Sequence, residues 1–160
     1  MGVDAKVCGL TRPADAALAV RLGSVAVSLA LAGRPRWCRA MGLLGSVAAS
    51  ALCATAGLAV LSTRAPVQGL LLAHGASGIS LGYAVAPLSA WFLLVLALLA
   101  IPTALYSVAY LAHAVSPPRT AFVVAGINVL LGAVEMVFIA DGVIAFLFAW
   151  ELMSLVNAAL

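Results

Sequence analysis

The chain has 160 residues, 66% of them hydrophobic and 8% charged, with a mean hydropathy of +1.22. A soluble domain carries about 25% charged residues, so there are too few charges here to coat a water-facing surface, which excludes a soluble enzyme or a nucleic-acid-binding domain. The net charge of +3 comes from basic residues scattered mainly between apolar runs, a pattern that marks membrane topology and not phosphate binding.

The expected fold is an all-α polytopic membrane protein with about five transmembrane helices, in one membrane domain over 16–160 behind an extramembrane start over 1–15. That start mixes Asp4, Lys6, Arg12, Pro13 and Asp15 with small residues, and no small-residue cleavage site closes the apolar stretch behind it. The first span, 16–33, is apolar except for Arg21. Arg21 lies near one end of that run, where snorkelling can return its guanidinium to the interface.

Arg34, Pro35, Arg36, Trp37 and Arg39 make a basic turn, and the charge-free run 41–61 is the second span. Residues 62–87 are interrupted by Arg64, Pro66, Gly69, His74, Gly75, Gly78 and Gly82, too glycine-rich for a spanning helix, so an ordered loop or hairpin is expected. The third span, 88–112, holds Pro102 in its interior, where a proline removes a backbone hydrogen bond and kinks a helix. Pro117, Pro118 and Arg119 end it, 121–140 is the fourth span, Asp141 and Gly142 form a turn, and 143–160 is the fifth. The turns at 34–40 and 114–120 carry four arginines against Arg64 alone in the 62–87 loop. The positive-inside rule therefore puts the arginine turns in the cytoplasm and the N-terminus outside, with Lys6 and Arg12 counting against that orientation.

Two carboxylates fall inside spans, and an ionisable group in hydrocarbon costs enough that a functional role with a nearby partner is its default reading. Glu151 lies roughly 13 Å into the fifth helix at 1.5 Å per residue, near the middle of a core about 30 Å thick, too deep to snorkel. A buried glutamate beside a movable cation can load and release a proton near neutral pH. Ser154, one turn on, can hydrogen-bond to Glu151 or to a water; a packing role for a permanently protonated Glu151 is the alternative. Glu135 shares a stripe of the fourth helix with Asn128 and Gly132, which fits a helix-packing seam with polar contacts, or else it reaches the nearby interface. His113, at the end of the third span, is expected at the interface more than as a proton carrier, and His74 is expected to be structural. Cys8, Cys38 and Cys53 are far apart with no paired spacing, so neither a metal site nor a disulfide framework is expected. No nucleotide-binding glycine motif or serine elbow is present, and Gly75-Ala76-Ser77-Gly78 lacks the lysine and flanking strand of a phosphate loop.

The run from Asn128 to Leu155, with its early asparagine, its Ala140-Asp141 turn and its Trp150-Glu151-Leu152-Met153-Ser154-Leu155 core, resembles the antiporter-like, proton-translocating subunits of complex I and membrane-bound hydrogenases. The likeness is greatest to hydrogenase-4 component B. Upstream, Pro87-Leu88-Ser89-Ala90-Trp91-Phe92 and Leu105-Tyr106-Ser107-Val108-Ala109-Tyr110 resemble the segments that open and close the family's third helix. Together these cover about residues 85–157. The chain departs from the family at Ala86, where the family usually has an aspartate.

The resemblance implies that Glu151 is the membrane glutamate of a proton channel, switched by a lysine on a later helix. It implies partners among the other membrane subunits of a respiratory or hydrogenase-type complex, and a place in the cell's inner membrane. Redox chemistry would belong to those other subunits, and no cofactor is expected on this chain. Members of the family have around fourteen helices, so the sequence is also compatible with a truncated or split product, or with a structural subunit that does not transport.

Overall fold

The computed structural model describes residues 13–75, 78–114 and 116–160. Of the extramembrane start expected over 1–15, residues 1–12, with Lys6, Cys8 and Arg12, lie outside the described residues, as does the Ala76-Ser77 pair, and residues 13–15 belong to the first helix. The elements run α1 (Pro13–Ala30), α2 (Pro35–Thr63), β1 (Val67–His74), β2 (Ile79–Val85), α3 (Pro87–Ala114), α4 (Pro117–Ile139), β3 (Ala140–Asp141) and α5 (Val143–Ala159). Helices α1 to α4 are long and apolar enough to cross a membrane, and α5 is apolar over 17 residues. The protein is an all-α polytopic membrane protein with a small sheet at one end.

Several boundaries are set by proline, whose missing N–H is harmless only in a first helical turn. Pro35 and Pro117 open α2 and α4, so the expected basic turn is largely helical and Arg36, Trp37 and Arg39 stand on the first turns of α2. Pro102, in contrast, lies inside α3, which continues through it to Ala114.

The bundle is held by small residues, which let helix backbones approach where lipid offers no hydrophobic drive between helices. The buried stripe of α2 contains Cys38, Gly42, Ser46, Ala49, Ser50, Cys53, Ala56 and Gly57. A methyl group added at Gly45 would overlap Ser24 of α1, and one at Gly42 would overlap Val124 of α4. Helices α1, α2 and α4 pack against one another, α3 packs chiefly on α2, and α5 packs on α4.

The interrupted segment folds as an antiparallel hairpin, β1 with β2, in the register Val67 to Val85 and Gly69 to Tyr83, with an irregularity between Leu70 and Leu72. Gly69 has no side chain because the Tyr83 ring occupies the space a Cβ would need. The turn after α4 joins this sheet: Gly82 pairs with Asp141 and Tyr83 with Ala140. Gly142 follows at φ +109, a conformation in which only glycine is unstrained.

Two apolar clusters lie at opposite ends of the bundle. Val60, Tyr83, Val85, Ala90, Leu93 and Ile139 form the one beneath the hairpin. Cys38, Leu111, Ala121 and Val124 form the other, toward the arginine-bearing end. Between them the buried side chains Arg21, Ser24, Ser46, Ser50, Asn128 and Glu135 lie among alanines.

Candidate functional site

The polar middle is built on α1, where Ala17, Arg21, Ser24 and Ser28 are the buried residues. Their spacing of four, three and four puts them on one helical face. Arg21 is the ninth of the 18 residues of α1, at mid-helix, and is 1% exposed. The snorkelling expected for it therefore does not occur. The helix begins three residues earlier than the apolar run, which moves Arg21 inward, and α2 and α4 close over it.

Arg21 meets Glu135 of α4 side-on. Its Nε donates to Glu135 Oε2 at 2.7 Å, and its Nη2 donates to Oε1 at 2.5 Å. Nη2 also donates to Ser50 Oγ of α2 at 3.2 Å, so three helices converge on one guanidinium. Glu135 is 5% exposed and takes part in a helix-packing seam with polar contacts. A bidentate guanidinium–carboxylate pair is the strongest common charge-assisted geometry. It is also the arrangement in which two charges inside a low-dielectric interior compensate each other's desolvation.

More buried polar groups continue from this pair. Asn128 is 2% exposed, and its Nδ2 donates to the Val124 carbonyl at 3.1 Å. Among the described residues, Arg21 Nη1, the hydroxyls of Ser24, Ser28 and Ser46, and Asn128 Oδ1 find no protein partner. Buried groups of this kind are ordinarily satisfied by ordered water. Toward the arginine-bearing end a cavity of about 20 Å³ is lined by Arg39, Ser46, Ser107 and Asn128 among apolar residues. Toward the hairpin another of about 20 Å³ is lined by Asp15, Cys53, Tyr83 and Glu135. A third, of about 180 Å³, opens between α1, α4 and α5 with apolar walls and with Arg21 and Asn128 among its lining. At the hairpin end Tyr83 Oη donates to Asp15 Oδ1 at 2.7 Å, tying β2 to the start of α1.

Glu151 is placed differently. It is exposed on α5, as is Ser154, while α5 packs inward through Ala145 and Ala149. Ser154 Oγ donates to the Trp150 carbonyl at 3.0 Å, the backbone bond of a helical serine, and not to Glu151. Around them Ile144, Leu147, Phe148, Trp150 and Leu155 are exposed as well. His113 is exposed at the end of α3 with Nδ1 3.0 Å from the Ala109 carbonyl, and His74 ends β1. Ala86 stands at the N-cap of α3, its carbonyl accepting from the Ala90 N–H, so its methyl leaves that helix start without a side-chain cap.

The structure thus brings Glu135 and Asn128 into one polar interior and leaves Glu151, Ser154 and His113 on the outside. Arg21, Ser50, Asp15 and Tyr83 were not among the expected site residues. The signal for Arg21 was present in the 17, 21, 24, 28 stripe, whereas the Asp15–Tyr83 bond joins positions 68 apart and has no local signature. No family model matches the chain, and no curated protein matches it.

Proposed function

We propose that the chain is a membrane subunit of a proton-translocating respiratory or hydrogenase-type oxidoreductase complex in the cell's inner membrane, to which it contributes Glu151 as a protonatable group and Ser154 beside it. The observation that carries this reading is the exposure of Glu151 on α5 among the exposed apolar side chains Leu147, Phe148, Trp150 and Leu155. A carboxylate facing hydrocarbon is costly, so that face of α5 calls for a further membrane helix bearing a cation or a polar group. The resemblance of residues 128–155 to antiporter-like subunits supports the same partner chemistry, since there the corresponding glutamate works against a lysine on another helix.

A structural, non-transporting subunit is the second reading. It is favoured by Ser154 Oγ, which donates to the Trp150 carbonyl and not to Glu151. The two are separated by tagging the chain, solubilising membranes mildly, and recovering the assembly it belongs to with native Glu151 or with Glu151→Gln. Loss of proton pumping from an intact assembly supports the relay. Pumping that survives the substitution supports the structural subunit, and a chain that migrates alone overturns both readings.

A further inference from the structure

We infer that the arginine-bearing end of the bundle holds one anionic phospholipid, its phosphate shared between Arg36 and Arg39 on the first turns of α2 and Arg119 on the first turn of α4. Packing brings the two helix starts together. Cys38 of α2 belongs to one apolar cluster with Ala121 and Val124 of α4, and a methyl group added at Gly42 would overlap Val124. Arg36 and Arg39, three positions apart, share a helix face, and Arg119 lies two positions before Ala121. Arg36 and Arg119 are exposed and Arg39 is partly so.

Among the described residues nothing neutralises these three charges. The only ion pair there is Arg21 with Glu135, and the first turns of α2 and α4 carry neither an acidic residue nor a side-chain cap. Like charges on neighbouring helix turns repel, and the unsatisfied N–H groups of two helix starts add to the positive potential. An anion relieves both, and the paired oxygens of a phosphate suit the guanidinium fork. The depth of the patch decides which anion. The 29 residues of α2 outrun the hydrocarbon core of a bilayer, so its first turns stand at headgroup level, where the exposed Trp37 takes the place of an interfacial tryptophan. Inward of Arg39, a crevice between α2, α3 and α4 is lined by Ser46 and Ser107 among apolar residues. Ser46 is 2% exposed and its hydroxyl has no protein partner, which suits it to donate to a lipid ester carbonyl below the phosphate. A free phosphate would leave that hydroxyl and the crevice unused.

The proposal does not rest on Glu151 or on a host complex, so it is tested on the full chain alone in phosphatidylcholine nanodiscs, with Trp91→Phe and Trp150→Phe leaving Trp37 as the fluorescent reporter. Phosphatidylglycerol or phosphatidylcholine with brominated acyl chains is introduced at constant total lipid, and quenching of Trp37 is followed. Brominated phosphatidylglycerol is expected to quench at a mole fraction about tenfold lower than brominated phosphatidylcholine, the scale of preference that arginines at a lipid surface provide. Replacing Arg36, Arg39 and Arg119 by glutamine removes the difference, while Arg64→Gln at the other end leaves it unchanged. Replacing the three by lysine keeps the charge but loses the fork, and lowers the preference about threefold. Equal quenching by the two lipids, or a preference that survives the glutamine substitutions, overturns the proposal. So does a preference that the lysine substitutions retain in full, which would show a diffuse surface potential and no site. Loss of the preference in millimolar inorganic phosphate would show that the site takes a free anion and not a lipid.

Discussion

Removing one member of the Arg21–Glu135 pair strands the other charge among helices that offer it no replacement, whereas removing both removes the problem. Breaking a buried pair costs about 3–5 kcal/mol, and replacing the whole pair by apolar residues of similar volume is often neutral. Arg21→Met and Glu135→Leu are therefore each expected to destabilise the bundle by about 3–5 kcal/mol, and the double substitution by much less. Equilibrium unfolding in mixed micelles reads this as a double-mutant cycle; additive losses would show that the two side chains do not depend on each other. Ser50→Ala belongs to the same cluster but removes one neutral acceptor from a guanidinium that keeps two carboxylate bonds. Its expected cost is smaller, about 1 kcal/mol. The sequence alone separated Glu135 from Arg21 because the two are 114 positions apart and because the apolar run began after the helix did. A charge that looks terminal in a hydropathy profile lies at mid-helix once Pro13, Ala14 and Asp15 are counted into α1.

Each helix found in the structure was legible as an apolar run bounded by proline, glycine or arginine, and the expected ends differ from the observed ones by a few residues, most at α2, whose first turns absorb the basic segment. The hairpin was legible as an interruption, since glycines at 69, 75, 78 and 82 oppose a long helix. Its pairing was not, because register depends on which side chains the bundle end accommodates. Tyr83 decides it: the ring fills the space opposite Gly69 and sends its hydroxyl to Asp15. Gly69→Val is expected to displace that ring, break the Tyr83–Asp15 bond and cost about 1–3 kcal/mol as overpacking. Amide hydrogen exchange checks it, with protection falling across β1, β2 and the β3 pair Ala140 and Asp141 while α2 and α3 stay protected. Unchanged protection in the hairpin would mean that Tyr83 docking does not hold it. Because β3 joins the hairpin to the α4–α5 turn, the same substitution also loosens the base of the helix that carries Glu151.

At the scale of the whole molecule, charge and shape define two unlike ends. One carries Arg34, Arg36, Arg39 and Arg119 around the junctions α1–α2 and α3–α4, and the other carries the hairpin with Arg64 and Asp141. Helix α2 connects them: its 29 residues span about 43 Å at 1.5 Å each, more than the roughly 30 Å of bilayer hydrocarbon. Both of its ends therefore emerge from the core even when the helix is tilted, and exposed Arg36 and Arg64 report opposite faces of the membrane. The excess of arginine at the first end predicts that this end is cytoplasmic. With the native cysteines replaced by serine, Arg36→Cys is then expected to react with a membrane-impermeant maleimide only after the cytoplasmic face is opened, and Arg64→Cys in intact cells. The reverse pattern would invert the chain and place the hairpin on the cytoplasmic side. Labelling of both sites from one face would mean that α2 does not cross, and with it would go the membrane-spanning bundle in which Arg21 and Glu135 meet.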